Sequence, residues 1–486
     1  MSTRWPLAPP RRRCCSRRAR RSPAASRRAS PPLPSARRGP AARSARPPPG
    51  CSAISRATSA VWCSPWTEDS VPDALADAVG TLRLPARIHV GYGVRQQISA
   101  LLAEHGRRVL AVVDPFLASS PDFVALLASL EATGLEVTTH TGVLPELPVG
   151  SLAASAEAVA DADPEVVLAY GGGSAIDAAK LIATLLAHGG PLSRFYGENA
   201  VPGPIRPIVA VPTTAGTGSE VTPVAVVSDP DREMKIGISS PFLVPVAAVV
   251  DPELTLGAPP SVTAHSGIDA LVHALESYTA AAVPLDWTGQ LPLFTGRNVL
   301  AAPLALEAIR HIAPFLARAV RDGSDREARA QVALGSLLAG MAFGPTGTHL
   351  SHALQYPIGA ITKTPHGLGT GLMIPYVLQA AVAVVPSRLA EIDRVLGGTE
   401  PDDSVAAQDA VDRIADLCRE IGIPSSLAEI GVEETQLEHI AELALNSKRL
   451  VGISPVGADP GVLLSILRAA HSGHRSLLDS SVHRGR

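Results

Sequence analysis

The pattern of apolar residues changes once along this chain, near residues 258–262, and that change limits the possible fold more than any other feature. Before it, short apolar runs that are typical of buried strands alternate with segments of helical periodicity. After it, strand patterns stop, and apolar residues recur at three- and four-residue spacing over long segments. The first part therefore predicts a parallel, doubly wound α/β sheet, and the second predicts an all-helical domain.

The individual elements follow from the same patterns. Strands are predicted at residues 82–94 (a short strand with a glycine turn), 109–113, 135–139, 166–170, 207–212 and 246–250. Helices are predicted at residues 121–133, 151–162, 174–187, 265–280, 302–321, 325–343, 404–421 and 435–447. The uncharged stretch 367–387 contains Gly and Pro, so we expect a buried core helix there and no membrane span.

The N-terminal segment has a different composition. Residues 1–66 contain 15 Arg and no Lys, Asp or Glu, and the first 50 residues include 11 Pro. Such a segment cannot build a core, so we predict a disordered leader at 1–81. The change of pattern then divides the rest into an α/β domain at 82–260 and a helical domain at 261–486. An acid-free, Arg- and Ser-rich leader fits an organelle transit peptide, and a start codon assigned too far upstream would look the same. A nucleic-acid-binding tail is a third, less favoured interpretation.

Charge and cysteine content restrict the partners and the compartment. Beyond residue 66 lie 27 of the 42 basic residues and all 45 acidic ones, which argues against a nucleic acid partner. Cys418 is the single cysteine of that part, so no disulfide framework can form there. We expect a reducing compartment, the cytoplasm, or the mitochondrion if the leader is a transit peptide.

A glycine-rich turn and a hydroxyl-rich loop point to a dinucleotide. Gly171-Gly172-Gly173-Ser174 directly follows a predicted strand, where glycines permit close approach to a pyrophosphate and Ser174 can cap the next helix. The segment from Pro212 to Glu220, at the end of the next strand, is rich in Gly, Thr and Ser. Asp114 ends the 109–113 strand, where a carboxylate would accept from ribose hydroxyls and repel a 2′-phosphate, which favours NAD over NADP. A plain strand-to-helix turn and a strand-end capping Asp are the alternatives.

Four residues form a candidate metal site. Asp269 and His273 lie four apart in a predicted helix and share one face, His352 opens a helix or turn, and His366 stands in a Pro-His-Gly loop. One oxygen and three nitrogen donors suit Fe²⁺ or Zn²⁺ and do not suit Mg²⁺ or Ca²⁺. His349 and His265 are rivals close to these positions.

Taken together, the motifs resemble a known family. Residues 82–470 resemble the iron-containing (group III) alcohol dehydrogenases. The segments that carry the resemblance are GGGSAIDAAK, PTTAGTGSEVTPVAVVSD, DPELT, IDALVHALESY and the PHG segment. The resemblance implies a Rossmann-like N-terminal domain and an all-α C-terminal domain of the dehydroquinate synthase-like fold, with NAD(P) and metal in the cleft between them. It implies a homodimer or larger homo-oligomer that acts on a small alcohol or carbonyl compound without nucleic acid or membrane.

The resemblance also assigns roles residue by residue. The metal ligands fall on Asp269, His273, His352 and His366. The pyrophosphate loop falls on Gly171, Gly172, Gly173 and Ser174, the nicotinamide contacts on Thr213, Thr214 and Thr217, the ribose contact on Lys235, and the NAD/NADP discriminator on Asp114.

One departure concerns the proton. Many family members have a second histidine four residues after the third ligand, and this chain has Tyr356, whose ordinary pKa near ~10 makes it a poorer base at neutral pH. Tyr356 or a water chain is therefore the expected route.

The same segment, with HALESYTA and FTGRN, resembles the hydroxyacid–oxoacid transhydrogenase subgroup. We rank NAD-linked alcohol dehydrogenation first and transhydrogenation between 4-hydroxybutyrate and 2-oxoglutarate second. Maleylacetate reduction, sugar-phosphate cyclase or glycerol-phosphate dehydrogenase chemistry, and a degenerate non-enzyme are further alternatives.

Overall fold

The structure is a computed structural model that describes residues 80–232 and 234–478, so the predicted leader lies almost entirely outside the described residues. Its strands are β1 (Arg87–Val90), β2 (Arg108–Val113), β3 (Glu136–His140), β4 (Val166–Gly171), β5 (Gly197–Glu198), β6 (Ile208–Pro212), β7 (Val224–Val227), β8 (Ile236–Ser239) and β9 (Ala247–Val250). The helices of the first part are α1 (Ile98–Ala103), α2 (Pro121–Ala132), α3 (Val149–Val159) and α4 (Gly173–His188). The helices that follow are α5 (Pro260–Thr279), α6 (Ala302–Arg321), α7 (Arg326–Thr346), α8 (Leu350–Thr362), α9 (His366–Ala381), α10 (Pro386–Val395), α11 (Asp403–Glu420), α12 (Leu437–Leu445), α13 (Lys448–Gly452) and α14 (Pro460–Ser472).

The main sheet has the order β1-β9-β6-β4-β2-β3, and its neighbouring strands pair in parallel. From β2 the chain proceeds outward to β3, then returns to β4 on the other side of β2 and continues to β6 and β9. The strand order therefore reverses between β2 and β4. In open parallel sheets the crevice at such a reversal, beyond the carboxyl ends of the strands, is where ligands bind.

Helices cover the sheet on both faces, which explains the continuous apolar runs of its strands. Val109, Ala111 and Val113 of β2 pack with α1 and α2, whereas Leu110 and Val112 pack with α3 and α4. A smaller sheet of β5, β8 and β7 adjoins the main one, with β7 and β8 antiparallel.

The helical part is built around α5. Fifteen of its twenty residues are buried, so α5 is a central helix surrounded by its neighbours rather than a surface helix. Val221 and the β9 residues Ala248 and Val250 pack against Ala333 and Leu337 of α7. This contact joins the main sheet to the helical part.

The α/β order, the parallel sheet and the helical second half confirm the predicted fold class. The placement of His366 in a loop was wrong, because His366 is the first residue of α9. The capping role of Ser174 was also wrong, since Gly172 is the N-cap residue of α4. The predicted domain limits at 81/82 and 260/261 stay predictions. None of the helices in residues 80–232 and 234–478 has the length and apolar composition of a membrane-spanning helix.

Candidate metal and dinucleotide site

The four predicted ligands lie together at the carboxyl edge of the sheet. Asp269 and His273 are one turn apart on α5, His352 is the third residue of α8, and His366 begins α9. The Nε2 atoms of His273, His352 and His366 each lie 3.8 Å from a carboxylate oxygen of Asp269. The donor atoms of Asp269, His352 and His366 all lie within 4.8 Å of one another.

Each imidazole is oriented by a hydrogen bond at its other nitrogen. The Nδ1 atom of His352 lies 2.7 Å from the Glu276 carboxylate, and that of His366 lies 2.6 Å from the Gln355 side-chain oxygen. The Nδ1 atom of His273 lies 3.3 Å from the Gly216 carbonyl oxygen. With Nδ1–H donating to these oxygens, each Nε2 lone pair faces Asp269. Such outer hydrogen bonds fix the tautomer and the ring orientation of metal-binding histidines.

Glu276 connects two elements at this site. Besides His352, its carboxylate accepts from the backbone N–H groups of His349 and Ser351, at 2.8 and 2.6 Å. Glu276 therefore holds the start of α8 against α5. Burial by itself would raise the pKa of Glu276, but His349 and His352 outweigh it and lower the pKa to about 2.

The electrostatics favour a bound cation. Burial lowers the pKa of His273 to about 4 and that of His366 to about 3, so both imidazoles are neutral at pH 7 and available as ligands. Burial opposes ionisation of Asp269, but the imidazoles around it hold its pKa below the ordinary value. The buried Nε2 atom of His352 has no hydrogen-bond partner among the described residues. A buried carboxylate facing three imidazole nitrogens fits a divalent transition metal.

Two features bring α9 close enough to α5 for this geometry. Gly367 is the second residue of α9, and a Cβ atom there would overlap the carbonyl oxygen of His265 and lie 3.0 Å from the Asp269 Cβ atom. The Thr370 hydroxyl donates to Asp269 at 2.8 Å. The absence of a side chain at residue 367 thus permits His366 to reach Asp269.

The rival histidines occupy other positions. His349 is buried against Glu276 and Thr279, with its Nε2 atom 2.9 Å from the Thr279 hydroxyl. His265 is half-buried on α5, one turn before Asp269. Among the described residues, no ion pair joins either of them to Asp269, in contrast to His273, His352 and His366.

The glycine turn lies at the reversal point between β2 and β4. Gly171 has φ of 151°, and a Cβ atom there would lie 2.7 Å from Ala175 and 3.1 Å from Asp114, so only glycine fits. The Thr213 N–H donates to the Gly171 carbonyl at 2.9 Å, which holds the hydroxyl-rich loop against the turn. The first backbone N–H groups of α4 lack intrahelical partners, and they favour an anion such as a pyrophosphate.

A buried lysine holds the segment that follows the hydroxyl-rich loop. Lys180 of α4 donates from Nζ to the carbonyl oxygens of Thr222 and Val224, at 2.9 and 2.8 Å, and lies 3.9 Å from Asp177. Burial lowers its pKa to about 8, and Asp177 opposes that shift. Sequence reasoning missed this role, although a Lys and an Asp within an otherwise apolar helix were a usable signal.

One cavity of about 330 Å³ contains residues of both predicted sites. From the dinucleotide set, Gly173, Ser174, Thr217 and Lys235 line it, and Lys235 forms an ion pair with Glu146. From the metal set, Asp269, His273, His352 and His366 line it together with Tyr356. The cavity therefore joins the helix start that can hold a pyrophosphate to the cluster that can hold a metal.

Other predicted residues lie outside this cavity lining. The glycine turn and the hydroxyl-rich loop contribute four such residues, Gly171, Gly172, Thr213 and Thr214. Asp114 lies next to Gly171, and its carboxylate accepts from the Phe116 N–H at 3.0 Å, which is the capping interaction considered as its alternative role.

Tyr356 lies beside the Asp269 cluster of predicted ligands. Its ring centre is 6.0 Å from that of His366, with the two rings stacked. Burial raises the pKa of the phenol above its ordinary value of 10.0. At neutral pH the side chain is therefore a neutral hydroxyl that can both accept and donate a hydrogen bond.

Comparison with known proteins gives two family matches. Residues 85–252 match the family model described as iron-containing alcohol dehydrogenase, and residues 263–471 match that of the Fe-containing alcohol dehydrogenase family, C-terminal. Long-chain-alcohol dehydrogenase 1 of Geobacillus thermodenitrificans (strain NG80-2) is 33% identical over 402 residues, covering 82% of this chain and 98% of that protein.

Two further proteins show the range of the similarity. The mitochondrial hydroxyacid-oxoacid transhydrogenase of Rattus norvegicus is 32% identical over 403 residues, covering 76% of this chain and 85% of that protein. The crystal structure of sulfoacetaldehyde reductase from Bifidobacterium kashiwanohense in complex with NAD⁺ superposes with a TM-score of 0.70 at 27% identity. That superposition covers 81% of this chain and 99% of the other.

Proposed function

The chain belongs to the iron-containing alcohol dehydrogenase family, and from that premise we propose that it is a metal-dependent, NAD-linked alcohol dehydrogenase whose four ligands are Asp269, His273, His352 and His366. The reaction is R₂CHOH + NAD⁺ ⇌ R₂C=O + NADH + H⁺. The observation that carries the proposal is the shared cavity, which brings the start of α4 and the Asp269 cluster together. Iron would polarise the substrate oxygen there, and NAD would exchange hydride with the substrate carbon.

Different residues of this chain bind the pyrophosphate, the ribose and the rest of the cofactor. The start of α4 at Gly173 and Ser174 binds the pyrophosphate, and Thr217 and Lys235 contact the cofactor nearer the cluster. Asp114 binds the ribose and disfavours a 2′-phosphate, so NAD is preferred to NADP. The apolar walls around His273, among them Phe343 stacked 4.1 Å from it, exclude water from the reacting groups.

The proton leaves by way of Tyr356 or water. Because burial raises the pKa of Tyr356, the phenol does not act as a free base at neutral pH. It can instead pass a proton along a hydrogen-bond chain by accepting one and donating another. Location in the cytoplasm and assembly into a homodimer or larger oligomer stay predictions.

Replacement of a ligand tests the assignment. We expect His273→Ala and His352→Ala to lose stoichiometric iron or zinc and to lose NADH formation from an alcohol panel by at least about 10³-fold, because three donors hold the ion less well than four. Metal content and NADH absorbance measure the two effects. His265→Ala is the matched control, because His265 is half-buried on the same helix one turn before Asp269 and is not among the proposed ligands, so it should keep both properties.

A ligand variant with full metal content and full turnover would refute the ligand assignment. NADH formation with Zn²⁺ and not with Fe²⁺ would mean that the enzyme uses zinc instead of iron, and it would leave the ligand assignment unchanged.

Transhydrogenation is the second candidate, favoured by the similarity to the Rattus norvegicus enzyme. A transhydrogenase retains its nicotinamide and needs no added NAD. Incubation of the purified protein with a hydroxy acid and 2-oxoglutarate, without added NAD, separates the two functions. Formation of both exchanged products under those conditions would favour the second candidate.

A further inference from the structure

Two cavities of this molecule meet at one ion pair. The cavity of about 330 Å³ that contains the Asp269 cluster has a larger neighbour of about 870 Å³, lined by residues of both the sheet half and the helical half. Of the residues that line these two cavities, Glu146 and Lys235 line both. Their side chains form an ion pair. The pair therefore stands where the site cavity joins the larger one.

Lys235 lies between the two predicted binding sites. It directly precedes β8, and it lines the site cavity together with Ser174 at the start of α4 and His366 of the Asp269 cluster. Burial raises the pKa of Asp177 and lowers that of His366, and the positive charge of Lys235 acts to lower both. An ammonium that acts on α4 and on α9 at once lies beside the path from the pyrophosphate end to the cluster.

Glu146 is the acidic partner of this ammonium. A lysine side chain is a flexible stem, so its ammonium takes one position only when a partner holds it. The Glu146 side chain is 54% exposed and that of Lys235 is 20% exposed, so the carboxylate approaches from the more open side. An ammonium has three N–H donors, and one bond to Glu146 leaves the others for the oxygens of a ribose.

The backbone at Glu146 is strained. Glu146 and Leu147 have φ of 65° and 49°, in the left-handed region that residues other than glycine rarely adopt. Two hydrogen bonds hold this conformation just beyond β7. The Ser228 N–H donates to the Leu147 carbonyl at 3.1 Å, and the Val149 N–H donates to the Ser228 carbonyl at 3.0 Å. Strain that is held in place beside a ligand cavity indicates that the residue has a functional role there.

We propose that Glu146 is a positioning residue for the cofactor, which holds the Lys235 ammonium where it binds the ribose on the nicotinamide side. This inference rests on the proposed dehydrogenase function, in which Lys235 contacts NAD. Glu146 acts through Lys235, so the affinity for the cofactor depends on a carboxylate that contacts neither the metal ligands nor the reacting atoms.

Binding of NADH to the metal-loaded full chain, followed by its fluorescence, tests this role without turnover. Glu146→Gln keeps the size of the side chain and removes its charge. We expect its NADH dissociation constant to be about 10-fold higher than that of the wild type, between the losses typical of exposed and of buried ion pairs. Because salt screens a partly exposed pair, NaCl should weaken NADH binding less in Glu146→Gln than in the wild type.

Glu146→Gly separates positioning from folding. Glycine adopts a φ of 65° without strain, so this variant should unfold at the temperature of the wild type or above it. It should nevertheless bind NADH about 10-fold more weakly, because the carboxylate is absent. A merely structural role would give NADH binding that follows stability. In turnover, the loss in both variants should appear in the KM for NAD rather than in kcat, and Glu146→Asp should restore part of it.

Asp163→Gly is the matched control. Asp163 is also an acid with a left-handed φ, of 37°, and it pairs with Arg108 at 3.0 Å. Arg108 begins β2, at the amino end of the strand, and Asp163 lines neither of the two cavities. This variant removes the same charge and the same kind of strain elsewhere, so it should bind NADH as the wild type does.

Equal NADH binding by the wild type, Glu146→Gln and Glu146→Gly would overturn the inference and leave the dehydrogenase function intact. An equal loss of affinity in Asp163→Gly would mean that net charge, and not the pair with Lys235, decides binding, and the inference would again be wrong. A wild type that binds no NADH at all would refute the proposed function together with the inference.

Discussion

At the scale of single residues, the predicted ligands and their supporting partners differ in how well the sequence reveals them. Asp269 and His273 were found from their four-residue spacing and from the family resemblance. Glu276, Gln355 and the Gly216 carbonyl were not assigned roles, although each orients one imidazole. Glu276 left a usable signal, because an acid seven residues after Asp269 shares its helix face. A backbone carbonyl from another loop leaves none.

Replacing Glu276 tests the importance of this orientation. We expect Glu276→Gln to weaken iron or zinc binding 10- to 100-fold, because the amide loses the charge that stabilises Nδ1–H of His352 and one of the accepting oxygens. Metal titration against a competing chelator measures the affinity. Glu307→Gln on the exposed part of α6 is the control and should bind as the wild type does. Unchanged metal affinity in Glu276→Gln would show that α8 is positioned by other contacts.

The lowered pKa of Glu276 also predicts a pH dependence. The folded-state pKa of about 2 lies below the ordinary value of 4.5, so this carboxylate contributes stability above pH 4.5 and loses it as the pH falls toward 2. In the presence of chelator, the free energy of unfolding of the wild type should decrease over that interval more steeply than that of Glu276→Gln. Parallel curves for the two proteins would exclude the predicted linkage.

At the scale of secondary-structure elements, length and periodicity decided what could be predicted. Long periodic helices such as α6 and the buried strands of the main sheet were predicted within a few residues. The hairpin of β7 and β8, four residues each, was missed because so short a segment carries little periodic signal. His366 was placed in a loop because Pro and two Gly surround it, yet packing of α9 on α5 overrides their weak helix propensity.

Gly367 provides a test of that packing. We expect Gly367→Ala to lower the free energy of unfolding by about 1–3 kcal/mol and to reduce metal occupancy, since the added methyl group would separate α9 from α5. Chemical denaturation and metal analysis measure the two effects. Gly150→Ala is the matched control, because Gly150 is also the second residue of a helix but has open space around it. If both variants behave alike, close approach is not the reason for glycine at residue 367.

At the scale of the whole molecule, the site depends on the contact between the sheet and the helical part. The start of α4 belongs to the sheet half, whereas the Asp269 cluster belongs to the helical half. The patch of Val221, Ala248, Val250, Ala333 and Leu337 holds the two halves together. The apolar character of these segments was visible in the sequence, but their pairing was not.

Shortening Leu337 probes this contact. We expect Leu337→Ala to lower the free energy of unfolding by about 2–4 kcal/mol, because Leu337 is 2% exposed and its loss leaves a cavity between the halves. Leu477→Ala removes the same atoms from a side chain that is 52% exposed, and it should change stability by less than about 0.5 kcal/mol. Chemical denaturation compares the two, and an equally stable Leu337→Ala protein would mean that the patch contributes little.

The sequence by itself determined the class of fold and the family, and it predicted the ligand and glycine positions, because periodicity and local motifs are properties of neighbouring residues. Only the tertiary structure decided which side chains orient the imidazoles, that α9 begins at His366 and that Glu146 and Lys235 share a cavity with the Asp269 cluster. These facts join residues that lie up to 220 positions apart, from Glu146 to His366. Such neighbours are chosen by packing of whole elements, and that packing depends on buried surface summed over the entire chain rather than on any local pattern.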